Sequence, residues 1–323
     1  VAYSLHTMFI PKLYNDQLLY GFYLKRGKAL AVPQILYSMH RFITLFPKKK
    51  VRILDIGCNY GKLLEILHHI AQTNGFADKI ELFGLDKNDT SLEEAKRIPN
   101  LLATYYAANL CSPSSLPKET FDIIIAINTM HEVYSEYLMQ ESEEKAKQHT
   151  ADAYSNILSM LSDTGSLILY DGLEASTLPN ERHIQFTFCT PEAKKKFLKV
   201  VEEYELSEIN CQELGKGVYS MSKTDLLKSL SFMKYVDTPF WEIESKQSYQ
   251  YFSYEEFMSL FEKEQCVVES VALLNSDRGL WMNYIKLLSP SMEFPPKSII
   301  ITATKGYIPP LANFDDSHVL QFA

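Results

Sequence analysis

Val51-Arg52-Ile53-Leu54-Asp55-Ile56-Gly57-Cys58-Asn59-Tyr60-Gly61 is the stretch on which the fold turns. Its first six residues, Val51–Ile56, form a short apolar run rich in β-branched side chains, as a strand buried on both faces of a parallel sheet requires. A glycine-containing turn follows, and from about Gly61 to Gln72 the apolar Leu63, Leu64, Leu67 and Ile70 recur at helical spacing. In such a unit the helix N-terminus presents free N–H groups, and glycine lets a ligand approach the main chain closely. An acid, Asp55, precedes the first glycine, and three residues separate Gly57 from Gly61. A dinucleotide fingerprint reads GxGxxG and requires no acid at that place. A carboxylate at the strand end repels a pyrophosphate and favours a phosphate-free ligand that carries positive charge.

The strand–helix alternation continues outward from this unit. Ile80–Asp86 predicts a second strand, followed by a helix near Thr90–Arg97, and Leu102–Ala107 a third strand. Phe121–Ile127 is the clearest strand of the chain. A helix from about Ser142 to Leu161, stopped by Asp163-Thr164-Gly165, leads to a fifth strand at Ser166–Asp171. Five strands separated by helical segments predict an α/β fold with a doubly wound, mostly parallel sheet. Cys266–Leu274 and Ser298–Thr304 bring it to seven strands, with an antiparallel last strand. Around this core, 51–172, the chain divides further. Residues 1–50 read as a helical segment ending in a solvated linker, Lys48-Lys49-Lys50. Residues 173–250 exceed a normal crossover and hold helical patterns at Pro191–Tyr204 and Lys223–Tyr235, so they read as an inserted helical cap. Residues 251–305 return to the core through a capping box, Ser253 with Glu256, on a helix at Tyr254–Glu264. Residues 306–323 read as a tail.

Over Val51–Asp171, and onward to Thr304, the sequence resembles the class I S-adenosylmethionine-dependent methyltransferases, whose first strand ends in Asp/Glu-x-Gly-x-Gly-x-Gly. Asp55, Gly57 and Gly61 occupy that pattern, and Asn59 replaces the middle glycine with a residue that tolerates left-handed backbone angles. The resemblance implies S-adenosylmethionine as cofactor, a phosphate-free nucleoside with a sulfonium and an ammonium group. It implies cofactor contacts from Asp55, Gly57, Cys58, Asn59 and Gly61, with Cys58 as a small packing residue within the motif. It implies further contacts from Asp86 and Lys87 at the end of the second strand, where the family's acid binds both ribose hydroxyls. A carboxylate is suited to accept two hydrogen bonds from such a diol. Asn109 and Leu110, after the third strand, are implied at the adenine, and Asn128 after the fourth. Phe121-Asp122 through Asn128-Thr129-Met130-His131-Glu132-Val133 matches the family's fourth-strand pattern, with Asp122 ordering the strand start away from the ligand.

Methyl transfer is an in-line displacement at a carbon already activated by the positive sulfur, so the protein aligns the acceptor and excludes water. A base is needed only where the acceptor must lose a proton. His131 and Glu132 are the candidates, at the end of the sheet where open α/β folds place ligands. A purely structural His131 that shapes its loop is the competing reading. Asp171 and Glu174 stand where an acceptor would be oriented, and Arg182 and His183 where an anionic acceptor would be met. Trp241, Tyr249, Tyr251 and Phe252 either wall an acceptor pocket or pack the cap. Tyr14, Tyr20 and Tyr23 are placed to fold over the cofactor as a lid.

The 32 basic and 40 acidic residues give a net charge of −8, whereas a free-standing nucleic-acid binder carries a basic excess. A small-molecule acceptor is therefore expected, with protein or RNA, or a catalytically inactive methyltransferase-like binding protein, as alternatives. The missing GxGxxG disfavours a nicotinamide-dependent oxidoreductase. Cys58, Cys111, Cys189, Cys211 and Cys266 form no CxxC pair, which points to reduced thiols in the cytoplasm. His68 and His69 point about 100° apart on a helix and share no ligand face with Glu65, so no metal is expected. There is no apolar run of about 18 residues and no signal-peptide pattern, so no membrane partner is expected.

Overall fold

The computed structural model describes residues 31–175, 183–288 and 293–310. In chain order these form α1 (Val32–Leu45), β1 (Val51–Ile56), α2 (Lys62–Thr73), β2 (Ile80–Asp86), α3 (Asp89–Ala95), β3 (Ala103–Ala107) and β4 (Phe121–Ile127). There follow α4 (Met130–Leu138), α5 (Glu143–Ser159), β5 (Leu161–Gly172), β6 (His183–Phe188), α6 (Pro191–Glu203), β7 (Cys211–Gly215) and β8 (Val218–Ser222). The remainder is α7 (Lys223–Phe232), α8 (Trp241–Glu244), α9 (Tyr254–Lys263), β9 (Val267–Leu274), α10 (Arg278–Tyr284), β10 (Ile285–Leu287) and β11 (Ser298–Thr304). The expected lid tyrosines and Arg182 lie outside the described residues.

Seven strands form one sheet in the order β3-β2-β1-β4-β5-β11-β9. Only β11 opposes its neighbours, pairing antiparallel with β5 and β9. The two-residue period of each strand sends alternate side chains to opposite faces. Ile53, Ile123, Ile125 and Ile168 pack with Ile35, Met39 and Phe42 of α1 and Leu63, Leu64 and Leu67 of α2. Leu54, Ile124, Leu167 and Leu169 face the other way, onto Tyr154 and Ile157 of α5 and Phe257 and Phe261 of α9. Full burial of each such side chain contributes about 1.5–3 kcal/mol, which is why the central strands carry apolar residues on both faces. β1 lies between β2 and β4, so the chain leaves it in opposite directions and opens a crevice at its carboxyl end.

Several sequence expectations need adjustment. Asp163-Thr164-Gly165 does not stop a helix. α5 already ends at Ser159, and the three residues lie inside β5 where its pairing with β4 shifts register. A side chain on Gly165 would meet the Phe121 carbonyl at 3.0 Å, so the glycine serves a close strand approach. The segment after 173 contains the two expected helices, but it also builds a second sheet, β10-β6-β8-β7, with antiparallel pairing throughout. Ile184 and Phe186 of β6 point into a separate core with Phe197 of α6, Leu226, Leu227 and Leu230 of α7, and Trp281 of α10. The cap is thus mixed α/β, and α10 and β10 join it from between β9 and β11.

The basic run before β1 is not simply solvated. Lys49 donates to Asp122 at 2.6 Å, and Asp122 also accepts from the Arg52 N–H and Ser162 Oγ, tying the amino end of β4 to both neighbours. Nor is the chain after Lys305 loose at its start. Buried Arg41 bonds both Glu269 carboxylate oxygens and the carbonyls of Ile308 and Pro309, which fixes residues 308–309 against α1 and β9.

Candidate active site

The turn after β1 holds its shape through three left-handed residues, Gly57 (φ 67°), Asn59 (φ 48°) and Gly61 (φ 71°). Asn59 therefore does adopt the conformation that the missing glycine would have supplied. At Gly57 a side chain would also strike Thr129 Oγ1 at 2.4 Å. The Gly57 and Cys58 N–H groups both donate to the Leu85 carbonyl, stitching the turn to the end of β2. Asp86 completes the link. One carboxylate oxygen accepts the Asn59 N–H at 2.8 Å and the other the Asn88 N–H at 2.9 Å. Each oxygen keeps a further lone pair for a ligand.

Between this turn and α4 lies an open cleft. Gly57, Asp86, Lys87, Asn109, Leu110 and Glu132 line it, six of the twelve site residues named from the sequence. Leu85, Ala108, Cys111, Thr129, Val133, Glu136 and Tyr137 complete the lining and were missed. Helical spacing from His131 gives Glu136 only when α4 is already placed beside the turn. Lys87 bonds Glu136 at 2.5 Å across the lining. Asn109 Oδ1 accepts the Cys111 N–H, which holds the turn after β3. Asn128 adopts a left-handed φ of 50° and donates its N–H to the Tyr170 carbonyl.

Asp55 and Cys58 are buried beneath the turn. Burial, with the Asp55 and Asp86 charges, pushes the Cys58 thiol well up, so it stays neutral. Cys58 needs correction as a cofactor contact: its side chain is covered and its N–H is spent on Leu85, leaving it the packing role alone.

His131 is not on the cleft surface. It stands in the first turn of α4, 3% exposed, with Nδ1 2.7 Å from Asp171 Oδ1. The other Asp171 oxygen accepts the Met130 and His131 N–H groups at 2.8 and 3.2 Å, so this carboxylate caps α4 from the end of β5. Asp171 also accepts the Gly172 N–H at 2.7 Å. With three backbone donors on Asp171, Nδ1 of His131 is the proton-bearing nitrogen and Nε2 is left as the basic one. Burial alone would lower the imidazole pKa, but the Asp171 charge and hydrogen bond outweigh it and raise it. Asp171 is fully buried in this capping role, so it does not orient an acceptor directly. Glu132 is exposed to solvent at the cleft. Crowding by the surrounding protein raises its carboxyl pKa, against the opposing pull of His131.

Tyr249 lies against the His131 ring, with centroids 4.5 Å apart. Gly172 admits it, because a side chain there would sit 1.7 Å from the Tyr249 carbonyl oxygen. The other expected aromatics divide. Tyr251 and Phe252 pack in the main core, and Tyr251 bonds the Tyr154 hydroxyl at 2.8 Å. Trp241 packs at the edge of the cap core and donates to Glu203. His183 is an exposed strand residue, and Glu174 pairs with Lys147 at 2.9 Å.

Residues 47–205 match a family model described as a methyltransferase domain, a span that covers β1–β5 and the cleft. This chain carries a class I S-adenosylmethionine-dependent methyltransferase domain. Comparison with curated proteins finds no match. Among solved structures, the plantazolicin methyltransferase BpumL, in complex with a pentazolic desmethylPZN analog and SAH, aligns at 14% identity and TM-score 0.47 over 94% of both chains. The plantazolicin methyltransferase BamL, in complex with a triazolic analog and SAH, aligns at 13% and 0.47, also over 94% of both. A SAM-dependent methyltransferase from Methanosarcina mazei aligns at 14% and 0.42, over 82% of this chain and 97% of its own. Likeness this distant carries no weight for the chemistry of this methyltransferase. Its cleft does suit the cofactor of the class, since Asp86, Glu132 and Glu136 offer acceptors to a cationic nucleoside and the one lysine among them is matched to Glu136.

Proposed function

We propose that the methyltransferase acts on a small-molecule acceptor, with His131 as general base and Asp171 as its positioning residue. The observation that carries this reading is the buried Asp171–His131 pair, adjacent in the chain to cleft-lining Glu132 and covered by Tyr249. S-adenosylmethionine supplies the activated methyl group. In the proposed arrangement Asp86 accepts from the ribose hydroxyls, and Asn109 and Leu110 border the adenine. Asp55, Gly57, Asn59, Gly61, Lys87 and Asn128 shape or line the remaining contact surface. His131 Nε2 takes the acceptor's proton, Asp171 holds the tautomer that leaves Nε2 basic, and Glu132 stands at the cleft as the second candidate for proton movement.

Two features support a small acceptor. The net charge of −8 and the acidic lining give a polyanion no purchase, and the α/β cap approaches the base through Tyr249. All five cysteines are unpaired, which supports a cytoplasmic setting, and among the described residues no helix is long and apolar enough to cross a membrane. The test is calorimetric titration with S-adenosylmethionine and with NADH, followed by assay of S-adenosylhomocysteine release against small molecules, peptides and RNA. Binding of S-adenosylmethionine with turnover on small acceptors is expected. Turnover confined to protein or RNA would overturn the acceptor class, and binding without turnover on any class would indicate an inactive binding protein.

A further inference from the structure

On the acceptor side of His131, two ammonium groups share one carboxylate. Lys297 immediately precedes β11, whose first residue pairs with Gly172, the neighbour of Asp171. Its backbone is fixed on both sides, with its N–H on the Leu274 carbonyl and its carbonyl receiving the Leu173 N–H. Its Nζ bonds Asp277, which follows β9, and Lys234 of the cap reaches the same Asp277 oxygen at 3.1 Å. Lys297 is only 8% exposed, and its Nζ lies 6.0 Å from the Tyr249 ring, which on its other contact touches His131. Tyr249 donates its hydroxyl to Glu244 at 2.6 Å and meets the Tyr235 hydroxyl at 3.4 Å.

We propose that Lys234 and Lys297 form an anion subsite that holds a carboxylate or phosphate group of the methyl acceptor, one aromatic ring away from His131. This rests on the acceptor placement proposed above. Among the described residues, Asp277 is the carboxylate that both ammonium groups contact, with Glu244 engaged at the Tyr249 hydroxyl, so one of two largely desolvated cations is without an anion of its own, which is costly unless a further anion balances it. A ligand carboxylate or phosphate supplies that balance through charge-assisted hydrogen bonds. The strain of the present arrangement shows in Lys297 itself. Burial first, and the Lys234 charge second, push its pKa down to about 8, while Asp277 is held below the ordinary carboxylate range mainly by the two lysines against the opposing effect of burial.

The experiment follows the lysine ε-carbon resonances of the full chain with pH, alone and with acetate or inorganic phosphate, assigning Lys297 through Lys297→Arg. Acetate or phosphate is expected to raise the Lys297 pKa saturably by about one unit, a tenfold change in its proton affinity. The stronger of the two anions identifies the group carried by the acceptor. Lys234→Gln, at a partly exposed site, should weaken that anion's apparent binding at least about tenfold. No saturable response to either anion, or an unchanged response in Lys234→Gln, overturns the subsite. Calorimetry with S-adenosylmethionine on the same samples separates the outcomes. Cofactor binding without an anion response removes only the subsite, whereas absent cofactor binding removes the methyl-transfer reading itself.

Discussion

Asp171→Asn tests the proposed base most directly, because Asp171 is fully buried and both of its oxygens are occupied. The carboxylate accepts from His131 Nδ1 at 2.7 Å, from the Gly172 N–H at 2.7 Å, and from the Met130 and His131 N–H groups. An amide retains one acceptor. If its oxygen keeps the two helix N–H groups, its NH2 faces Nδ1 and the Gly172 N–H, two groups that both required an acceptor. Loss of the charge-assisted bond costs about 1.5–3 kcal/mol. The histidine can meet the new NH2 only by moving its proton to Nε2, which then cannot accept one. Turnover should therefore fall by about 10²–10⁴, the usual contribution of a general base, while cofactor affinity changes little. The pKa should move as well. In the native pair the carboxylate raises the imidazole above its ordinary 6.5, and without it burial remains as the main cause and acts downward. Nitrogen-15 histidine spectra report both the tautomer and the pKa, and S-adenosylhomocysteine release reports turnover. A variant that keeps Nδ1 protonated, titrates above 6.5 and turns over at the native rate would refute the assignment.

Asp86→Ala should weaken S-adenosylmethionine binding by about 1.5–3 kcal/mol, read as a shift in the calorimetric dissociation constant. An unchanged value would remove Asp86 from the site. Gly172→Ala should displace Tyr249 from His131, since the added carbon would overlap the Tyr249 carbonyl oxygen, and a crystal structure with the native segment undisturbed would contradict it. In the native protein the base form of His131 grows as pH rises through its raised pKa, so the turnover–pH profile should climb on a limb centred above 6.5. The same shift carries a stability effect of opposite sense: the pair's contribution is full below 6.5 and is lost as pH rises through the folded pKa, which thermal unfolding at several pH values would register. Ser253→Ala should cost about 1 kcal/mol in unfolding free energy through loss of the observed capping box.

What the sequence disclosed and what it concealed differ by range of interaction. Gly57, Asn59 and Gly61 fall within one turn directly after β1, so local backbone rules were enough to read their conformation, including the left-handed Asn59. Asp86 was legible through its position at a strand end. The Asp171–His131 pair was not legible as a pair, because forty residues separate the two and only the β4–β5 adjacency joins them. Tyr249 arrives from later still, and its place on His131 depends on the absent side chain of Gly172. The second sheet escaped because each strand is short. In β6 the alternation of buried Ile184 and Phe186 with exposed His183 and Gln185 is a strand signal, but it spans only six residues. At Gly165 a genuine turn-forming residue was used for strand approach, so tertiary packing overrode a local rule.

The topology divides the labour of the site. The residues proposed to face the cofactor come from the loops after β1, β2 and β3, on one side of the switch point between β1 and β4. The proposed base stands after β4, its partner ends β5, and both excursions that build the cap leave from the β5–β11–β9 side. The cap is also latched to the helix that bears the base. Ser135 of α4 donates to the His131 carbonyl at 2.6 Å and accepts the Ser248 N–H at 2.8 Å, one residue before Tyr249. A change in the cap therefore reaches His131 by two routes, through the Tyr249 ring and through this serine pair, without passing through the turn proposed to hold the cofactor. Acceptor choice can vary in such a fold while the turn after β1 stays as it is, because the Gly57, Cys58 and Asn59 N–H groups bond Leu85 and Asp86 of β2 rather than the cap.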